Sequence, residues 1–424
     1  MKDKLITIIL TILIISVPIA MWTTSAKFNI PKLTLLLAGG VILLILMLSN
    51  YKKLTMDKKD YIILAFLLWG FVSTIYSGDY KASFIGTGNR YDGLLVICSY
   101  IIIYLCAKKF LVYKNNKTLL IILQIVYILV SVFGITQNYL KQPPKALYPI
   151  LGKGVSGSFG NTNFMGSFIS MGIPIFIISY IFKGNKISFI TSLLTFFCLI
   201  TCLARSGWVA FAIFTILLVI YLIKNRKKEY FFRLITLIVC FTLIFSGIYY
   251  SKGNRVKNKV KVMKNEIKTA TTQGVQDTMG SKRIQIWKIS LELIQKHPIL
   301  GVGTENMMNG VKENLTETSV DFIKKAKSMP DKAHNEYLHI AVTMGIPAAV
   351  LYLIFLVLIL LPKLKKMFND YTLFIIMSVI ISYSAQAFFN ISTIGVAPLF
   401  WIALALVDNK NVNESKNITK INSN

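Results

Sequence analysis

Residues 163–228 read NFMGSFISMGIPIFIISYIFKGNKISFITSLLTFFCLITCLARSGWVAFAIFTILLVIYLIKNRKK. Three apolar runs follow one another here, at 163–182, 187–203 and 206–223. Each is close to the roughly 20 residues an α-helix needs to cross the hydrocarbon core of a bilayer. Lys183 and Lys186 separate the first two runs, Arg205 alone separates the next two, and Lys224, Arg226, Lys227 and Lys228 close the third. A chain that weaves through a membrane and keeps its Lys and Arg mainly on the cytoplasmic side has this pattern.

Worked outward, the pattern fills the chain. Twelve segments qualify as spans, at 5–24, 33–49, 60–77, 93–112, 118–140, 163–182, 187–203, 206–223, 231–250, 336–361, 371–389 and 394–407. The last is short enough to be tilted or partly interfacial. Pro18 and Pro174 fall inside spans, where neighbouring helices can satisfy the freed carbonyls. With Lys2 and Lys4 placed inside, the cytoplasmic loops hold 17 basic residues and the short outer loops 8, and both termini come out cytoplasmic. Residues 5–22 also resemble a signal-peptide core, with Thr24-Ser25-Ala26 as a cleavage site. An uncleaved first helix is the expectation, because removing it would leave an odd number of spans.

Composition excludes the alternative of several soluble domains. Of 424 residues 54% are apolar and 15% charged, and the mean hydropathy is +0.61; a soluble chain carries about 25% charge. The net charge of +29 would point to nucleic acid in a soluble protein, but here the charges sit in clusters between apolar runs, so no nucleic-acid partner is expected. The fold class is therefore an all-α polytopic membrane protein, divided into spans one to nine (1–250), an outer loop (251–335), spans ten to twelve (336–407) and a disordered cytoplasmic tail (408–424). Cys98, Cys106, Cys198, Cys202 and Cys240 all fall in apolar runs with no metal-ligand spacing, and read as small core residues.

Within the outer loop, Ile284, Trp287, Leu291 and Ile294 recur at helical spacing opposite Lys288, Glu292, Gln295 and Lys296. The spacing predicts an amphipathic helix that lies on the membrane or caps the bundle. His297-Pro298 and Gly301-Val302-Gly303 would end it.

Only six of the 47 basic residues are Arg. A chain that defaults to Lys retains Arg where a planar bidentate fork is needed, as for a phosphate or diphosphate. Arg90, Arg205, Arg255 and Arg283 are external. Arg255 lies in a diffuse basic run and reads as a residue snorkelling to the headgroups. Arg205 occupies a tight turn between two apolar helices, where an ionisable group is functional by default. Arg283 opens the amphipathic helix, with Trp287 in reach for a cation–π contact. Of three histidines, His297 reads as a helix C-cap, and His334 and His339 lack the i,i+4 spacing of a helical zinc pair, so no metal site is expected. His334, where the loop meets the tenth span, is placed to take a proton from a hydroxyl near neutral pH. The first outer loop, 23–32, holds no carboxylate, and no DxD occurs in the chain, so cationic side chains would have to stabilise a phosphate leaving group.

Four stretches of this sequence together resemble the O-antigen ligase and O-antigen/capsular polysaccharide polymerase family of bacterial membrane glycosyltransferases. They are Gly157-Ser158-Phe159-Gly160-Asn161-Thr162-Asn163-Phe164; Ala204-Arg205-Ser206-Gly207; Arg283-Ile284-Gln285-Ile286-Trp287 running into His297-Pro298-Ile299-Leu300-Gly301-Val302-Gly303; and Ala333-His334-Asn335-Glu336-Tyr337-Leu338 with Gly345-Ile346-Pro347. The likeness spans about residues 80–390, with Ala204 a departure where the family often has Ser. It implies a bacterial plasma-membrane enzyme that works on the outer face without metal, cofactor or nucleotide sugar. Such an enzyme moves a glycan from a polyprenyl diphosphate carrier to an acceptor hydroxyl on a glycan or lipid-glycan. By the same resemblance Arg205 and Arg283 grip the diphosphate and His334 activates the hydroxyl, while Arg90, Asn161, Asn163, Asn335 and Tyr337 are lesser contacts to carrier or sugar. The competing class is a transporter or flippase of lipid-linked glycans. Gln124, Gln137 and Gln386 as the main mid-span polar residues, with no buried carboxylate, argue against it. A purely structural membrane protein would leave Arg205 and His334 without any special setting.

Overall fold

The computed structural model describes residues 2–22, 28–86, 90–111, 116–139, 155–251, 255–277 and 279–409. Among these there are seventeen α-helices and no strand. The first ten are α1 (Lys2–Ile19), α2 (Ile30–Leu48), α3 (Lys58–Ile75), α4 (Tyr80–Ile85), α5 (Leu94–Phe110), α6 (Asn116–Tyr139), α7 (Thr162–Lys183), α8 (Lys186–Thr201), α9 (Arg205–Lys224) and α10 (Lys228–Tyr250). The stretch between α10 and the tenth apolar segment supplies α11 (Arg255–Gln273), α12 (Met279–Lys296), α13 (Met307–Glu313) and α14 (Glu317–Ala326). The chain returns through α15 (Glu336–Leu360), α16 (Tyr371–Ala387) and α17 (Ala397–Asp408). Each of the twelve apolar segments is a helix, and six helices among the described residues are long and apolar enough to cross a membrane by themselves: α2, α6, α7, α9, α10 and α15.

α7 is the axis of the bundle. Of its most apolar window 89% is buried, against 6% for α10. α8, α9 and α16 surround α7, and α2 and α17 pack on α5. Small residues set these approaches: a Cβ on Gly40 of α2 would lie 2.8 Å from Ser99 Oγ of α5. The Tyr127 ring fills the space over Gly172, stacks on Phe168 at 4.1 Å, and donates its hydroxyl to the Phe168 carbonyl (3.0 Å). α10 instead exposes Phe232, Ile235 and Leu243, a surface stable in lipid but not in water.

Three expectations need correction. The segment expected as one span at 336–361 is a broken helix: Gly345 has φ 84° and ψ 168° inside α15. The part before the break folds against the part after it, so that Tyr352 donates to Glu336 Oε1 (2.9 Å). The carbonyls freed by the break are used. Val302 N–H donates to the Val342 carbonyl (3.0 Å), Gly303 N–H to Thr343 (2.8 Å), and Ile346 N–H to Pro298 (2.8 Å). Residues 297–303 thus dock onto the break, and a Cβ on Gly345 would fall 1.9 Å from the Ile299 carbonyl oxygen.

Asp408 does not begin a tail: it is the last residue of α17, which is buried along almost its whole length. Asp408 accepts from Tyr104 (2.7 Å) and pairs with Lys108 (2.6 Å) and Lys59. Lys108 also bridges Asp57 (2.9 Å) and Asp60 (2.6 Å), and Lys109 reaches Asp60 (2.7 Å). Asp57, Asp60 and Asp408 come together, but among the described residues three lysines balance the three carboxylates, locking α3, α5 and α17 at one end. The tail expected to be disordered lies, from residue 410 on, outside the described residues.

At the other end, the loop helices form a cap with its own small core of Ile286, Ile289, Leu293, Met307, Val311 and Phe322. The buried face of α12 is therefore not the one expected. Ile286, Ile289 and Leu293 are buried, Ile284, Trp287 and Ile294 are half-buried, and Leu291 is 53% exposed. The helix is wedged between α13 and α14 on one side and α15 on the other, so its apolar surface spans more than one stripe.

Candidate functional site

Arg205 heads α9 after a turn of minimal length. α8 ends at Thr201, Leu203 takes the left-handed conformation (φ 58°), and Trp208 Nε1 donates to the Leu199 carbonyl (2.8 Å), closing the turn. Gly166 of α7 makes room for the Ala204 methyl, since a Cβ there would lie 2.3 Å away. Ala204 supplies no side-chain cap. The first turn of α9 thus presents uncapped N–H groups and a guanidinium at the positive end of the helix dipole, where an anion is favoured.

Arg283 repeats this arrangement. Gly280, Ser281 and Lys282 all have φ between 61° and 67°, so the regular helix α12 begins at Arg283, as its sequence position implied. Two non-glycine residues in the left-handed region store strain, of about 1–3 kcal/mol each, a feature that clusters at functional sites. Trp287 packs on Phe388 (5.6 Å) and Phe389 (6.2 Å). Arg283 Nη1 donates to the Gly280 carbonyl at 3.4 Å. Burial and then the Arg205 charge lower the Arg283 pKa, which brings the two guanidinium groups into one field.

His334 is the residue before the N-cap of α15 and is also left-handed (φ 49°). Burial, followed by the charges of Arg283 and Arg90, lowers its pKa to about 4, with Asp331 opposing and Lys332 adding a smaller push down. The imidazole is therefore neutral at pH 7, with a lone pair able to accept a proton. Arg90 completes the group from the loop ahead of α5, with Nη2 3.1 Å from Asp331. Behind it, buried Lys332 is paired with Glu305 and lies 4.0 Å from Asp92.

The other residues singled out from sequence are held by local structure. Asn161 caps α7 by accepting from Asn163 N–H (2.8 Å), and Asn163 lies half-buried in the next turn. Asn335 caps α15 by accepting from Leu338 N–H (3.0 Å), and Tyr337 donates to the Ser384 carbonyl (3.1 Å). His297 pairs through Nε2 with the Asn314 amide (3.2 Å) just past the end of α12. Gly88 and Asn89, next to Arg90, lie outside the described residues.

What unites the central four is unmet hydrogen-bonding capacity. Arg90 Nη1, Arg205 Nε, Arg283 Nε and His334 Nδ1 are all buried with no partner among the described residues. Buried polar atoms are normally satisfied. The orphaned atoms on these three guanidinium groups and one imidazole are hydrogen-bonding groups that an anionic, oxygen-rich ligand would satisfy. Residues 190–353 match the O-antigen ligase family model. No curated protein matches the chain significantly. The O-antigen ligase segment is narrower than the 80–390 suggested by sequence, but it holds Arg205, Arg283, His334, Asn335 and Tyr337, and leaves Arg90, Asn161 and Asn163 outside. The chain is thus a helical membrane protein in which a segment running from α8 into the second half of α15 matches the O-antigen ligase family model.

Sequence reasoning missed several members of this region. The expectation of no buried carboxylate is wrong: Glu336 is 7% exposed and accepts from Tyr352 and from Tyr383 (2.8 Å), and Glu305, Asp60 and Asp408 are buried as well. Two of the mid-span glutamines are held by local structure, Gln124 donating to Ser188 Oγ (2.8 Å) and Gln137 accepting from Gly157 N–H (2.8 Å), while Gln386 accepts from Ser167 Oγ (2.5 Å) and its buried Nε2 has no partner among the described residues. Glu266 was also missed. It clamps Arg205 with both oxygens, at 2.5 and 3.2 Å. Its signal was legible: it is the only acid in α11, among six basic residues.

Proposed function

We propose that the protein is a glycosyltransferase that moves a glycan from a polyprenyl diphosphate carrier to an acceptor hydroxyl at the extracytoplasmic face of the bacterial plasma membrane. The observation that carries this reading is the convergence of Arg205, Arg283, Arg90 and a neutral His334, with orphaned donors, at the capped end of the bundle. The acceptor oxygen attacks the anomeric carbon of the donor sugar, the bond from that carbon to the phosphate oxygen breaks, and the polyprenyl diphosphate leaves with the electron pair. His334 takes the hydroxyl proton, and the Arg205 and Arg283 forks take up the growing negative charge. A donor set of three guanidinium groups repels a divalent cation, so the reaction is expected to proceed without one. Arg90, Asn163 and Tyr337 are assigned in this reading as contacts to the carrier or sugar, and Asn161 and Asn335 act by holding their helices.

The buried carboxylates remove one argument against a transporter, so the test must separate the two classes. Purified protein in proteoliposomes is given a polyprenyl diphosphate-linked repeat unit with a chelator present. Transfer to acceptor is expected in the wild type. His334→Ala should lower it by about 10²–10⁴-fold and Arg205→Ala by at least about tenfold, with both variants melting like the wild type. Unaltered transfer in either variant removes that residue from the mechanism. Passage of the lipid-linked glycan across the bilayer without any joining would establish the transporter instead.

A further inference from the structure

The fork of Arg205 is not empty: Glu266 of α11 fills it. One carboxylate oxygen lies 2.5 Å from Nη1 and the other 3.2 Å from Nη2, and Gly280 N–H, in the left-handed turn before Arg283, points to the same carboxylate at 3.5 Å. A guanidinium fork plus a backbone N–H in such a turn is a cradle for an oxyanion. Glu266 therefore sits among the donors that a phosphate would use. Its helix is otherwise one-signed: Arg255, Lys257, Lys259, Lys261, Lys264 and Lys268 surround this single acid. Lys259 lies seven residues before Glu266, on the same helical face. It belongs to the same field, since burial and then the Arg205 charge lower its pKa, Glu266 opposes, and Arg283 adds to the lowering. Among the described residues of α11 Val256 alone is buried, so the placement of Glu266 depends on this ion pair more than on packing.

We propose that Glu266 is a resident anion in the carrier-phosphate site, displaced by the incoming diphosphate, and that Lys259 is a further cation which then faces the substrate with Arg205 and Arg283. The inference rests on the reading of this site as a diphosphate site and adds two residues to it. While Glu266 holds the fork, weak anions are excluded and Arg205 stays oriented. An anion with more than one charge gains more from Arg205, Arg283 and Lys259 together than Glu266 gains from Arg205 and one N–H.

The test uses the full-length protein in detergent, with inorganic pyrophosphate as the probe and calorimetry as the readout. An internal competitor that occupies the fork nine-tenths of the time weakens apparent affinity about tenfold, so Glu266→Gln should bind pyrophosphate about tenfold more tightly than the wild type. Lys259→Gln should bind it about three- to tenfold more weakly. Damage to the fold moves both variants in one direction, so the opposite signs cannot arise from misfolding; Glu266→Ala serves as a second variant with the same expected gain. Equal or weaker binding in both Glu266 variants overturns the proposal, and if Arg205→Gln still abolishes binding, the diphosphate reading survives that result. No pyrophosphate binding by the wild type or the Glu266 variants overturns both.

Discussion

In the proposed mechanism, the chemistry at His334 depends on charge that arrives with the substrate. Three cationic neighbours and burial hold the imidazole neutral down to about pH 4, which makes it available but weakly basic. A bound diphosphate brings negative charge beside Arg283 and Arg90 and must raise the His334 pKa. If His334 is the base, activity requires the neutral form and is lost as pH falls through the pKa that applies to each state. The acid limb of kcat/KM, which reports the free enzyme, is expected near pH 4, and that of kcat at higher pH. A pH–rate profile checks both limbs; coincident limbs would show that the substrate does not change the field at the base. His334 stands out in the sequence as one of three histidines and the one at a loop–span junction, but its proposed role as base comes from the family resemblance. Its low pKa could not be read from sequence, because two of the depressing charges come from residues about 50 and 240 positions away.

At the scale of elements, the break in α15 builds the site. It lets residues 297–303 reach the tenth span, and thereby fixes the C-terminal end of α12 relative to His334. Gly345 carries that geometry, since φ of 84° is costly for any side chain and a Cβ would overlap the Ile299 carbonyl. Gly345→Ala is expected to destabilise by at least about 2 kcal/mol, lowering the melting temperature in detergent by several degrees. Gly247, in α10, has nothing within 4 Å of a Cβ, so Gly247→Ala should be neutral or raise stability by up to about 1 kcal/mol. Differential scanning fluorimetry of the pair checks the contrast. Hydropathy predicts one span over 336–361 because it is blind to a single backbone dihedral. The pairing of the His297–Gly303 stretch with Gly345 gives a physical reason for both motifs.

Across the whole molecule, charge is organised at two opposite ends. The capped end is cationic with orphaned donors, and the other is a closed cluster in which Lys108 holds Asp57, Asp60 and Asp408. Lys108→Met leaves buried carboxylates unmatched and is expected to cost about 3–5 kcal/mol of stability. The activity per folded molecule should stay unchanged, because the cluster binds no part of the proposed substrate. Thermal melting and specific activity together decide this. Sidedness is checked with single cysteines at two exposed lysines in a cysteine-free background. Lys312→Cys, in the cap, should react with an impermeant thiol reagent on intact cells, and Lys52→Cys only after the membrane is opened. The reverse pattern would place the site on the cytoplasmic face.

Apolar length and basic clusters are properties of contiguous residues, so the twelve helical segments and the loop that became the cap could be read from the chain alone, while the roles proposed for Arg205, Arg283 and His334 rest on the family resemblance. Long-range packing decided the rest. It broke α15 at Gly345, rotated the buried face of α12, buried α17, and carried Glu266 across 61 residues into the fork of Arg205. Those outcomes depend on which helix ends meet. That is settled by shape and charge matching between distant segments, for which hydropathy along the chain contains no term.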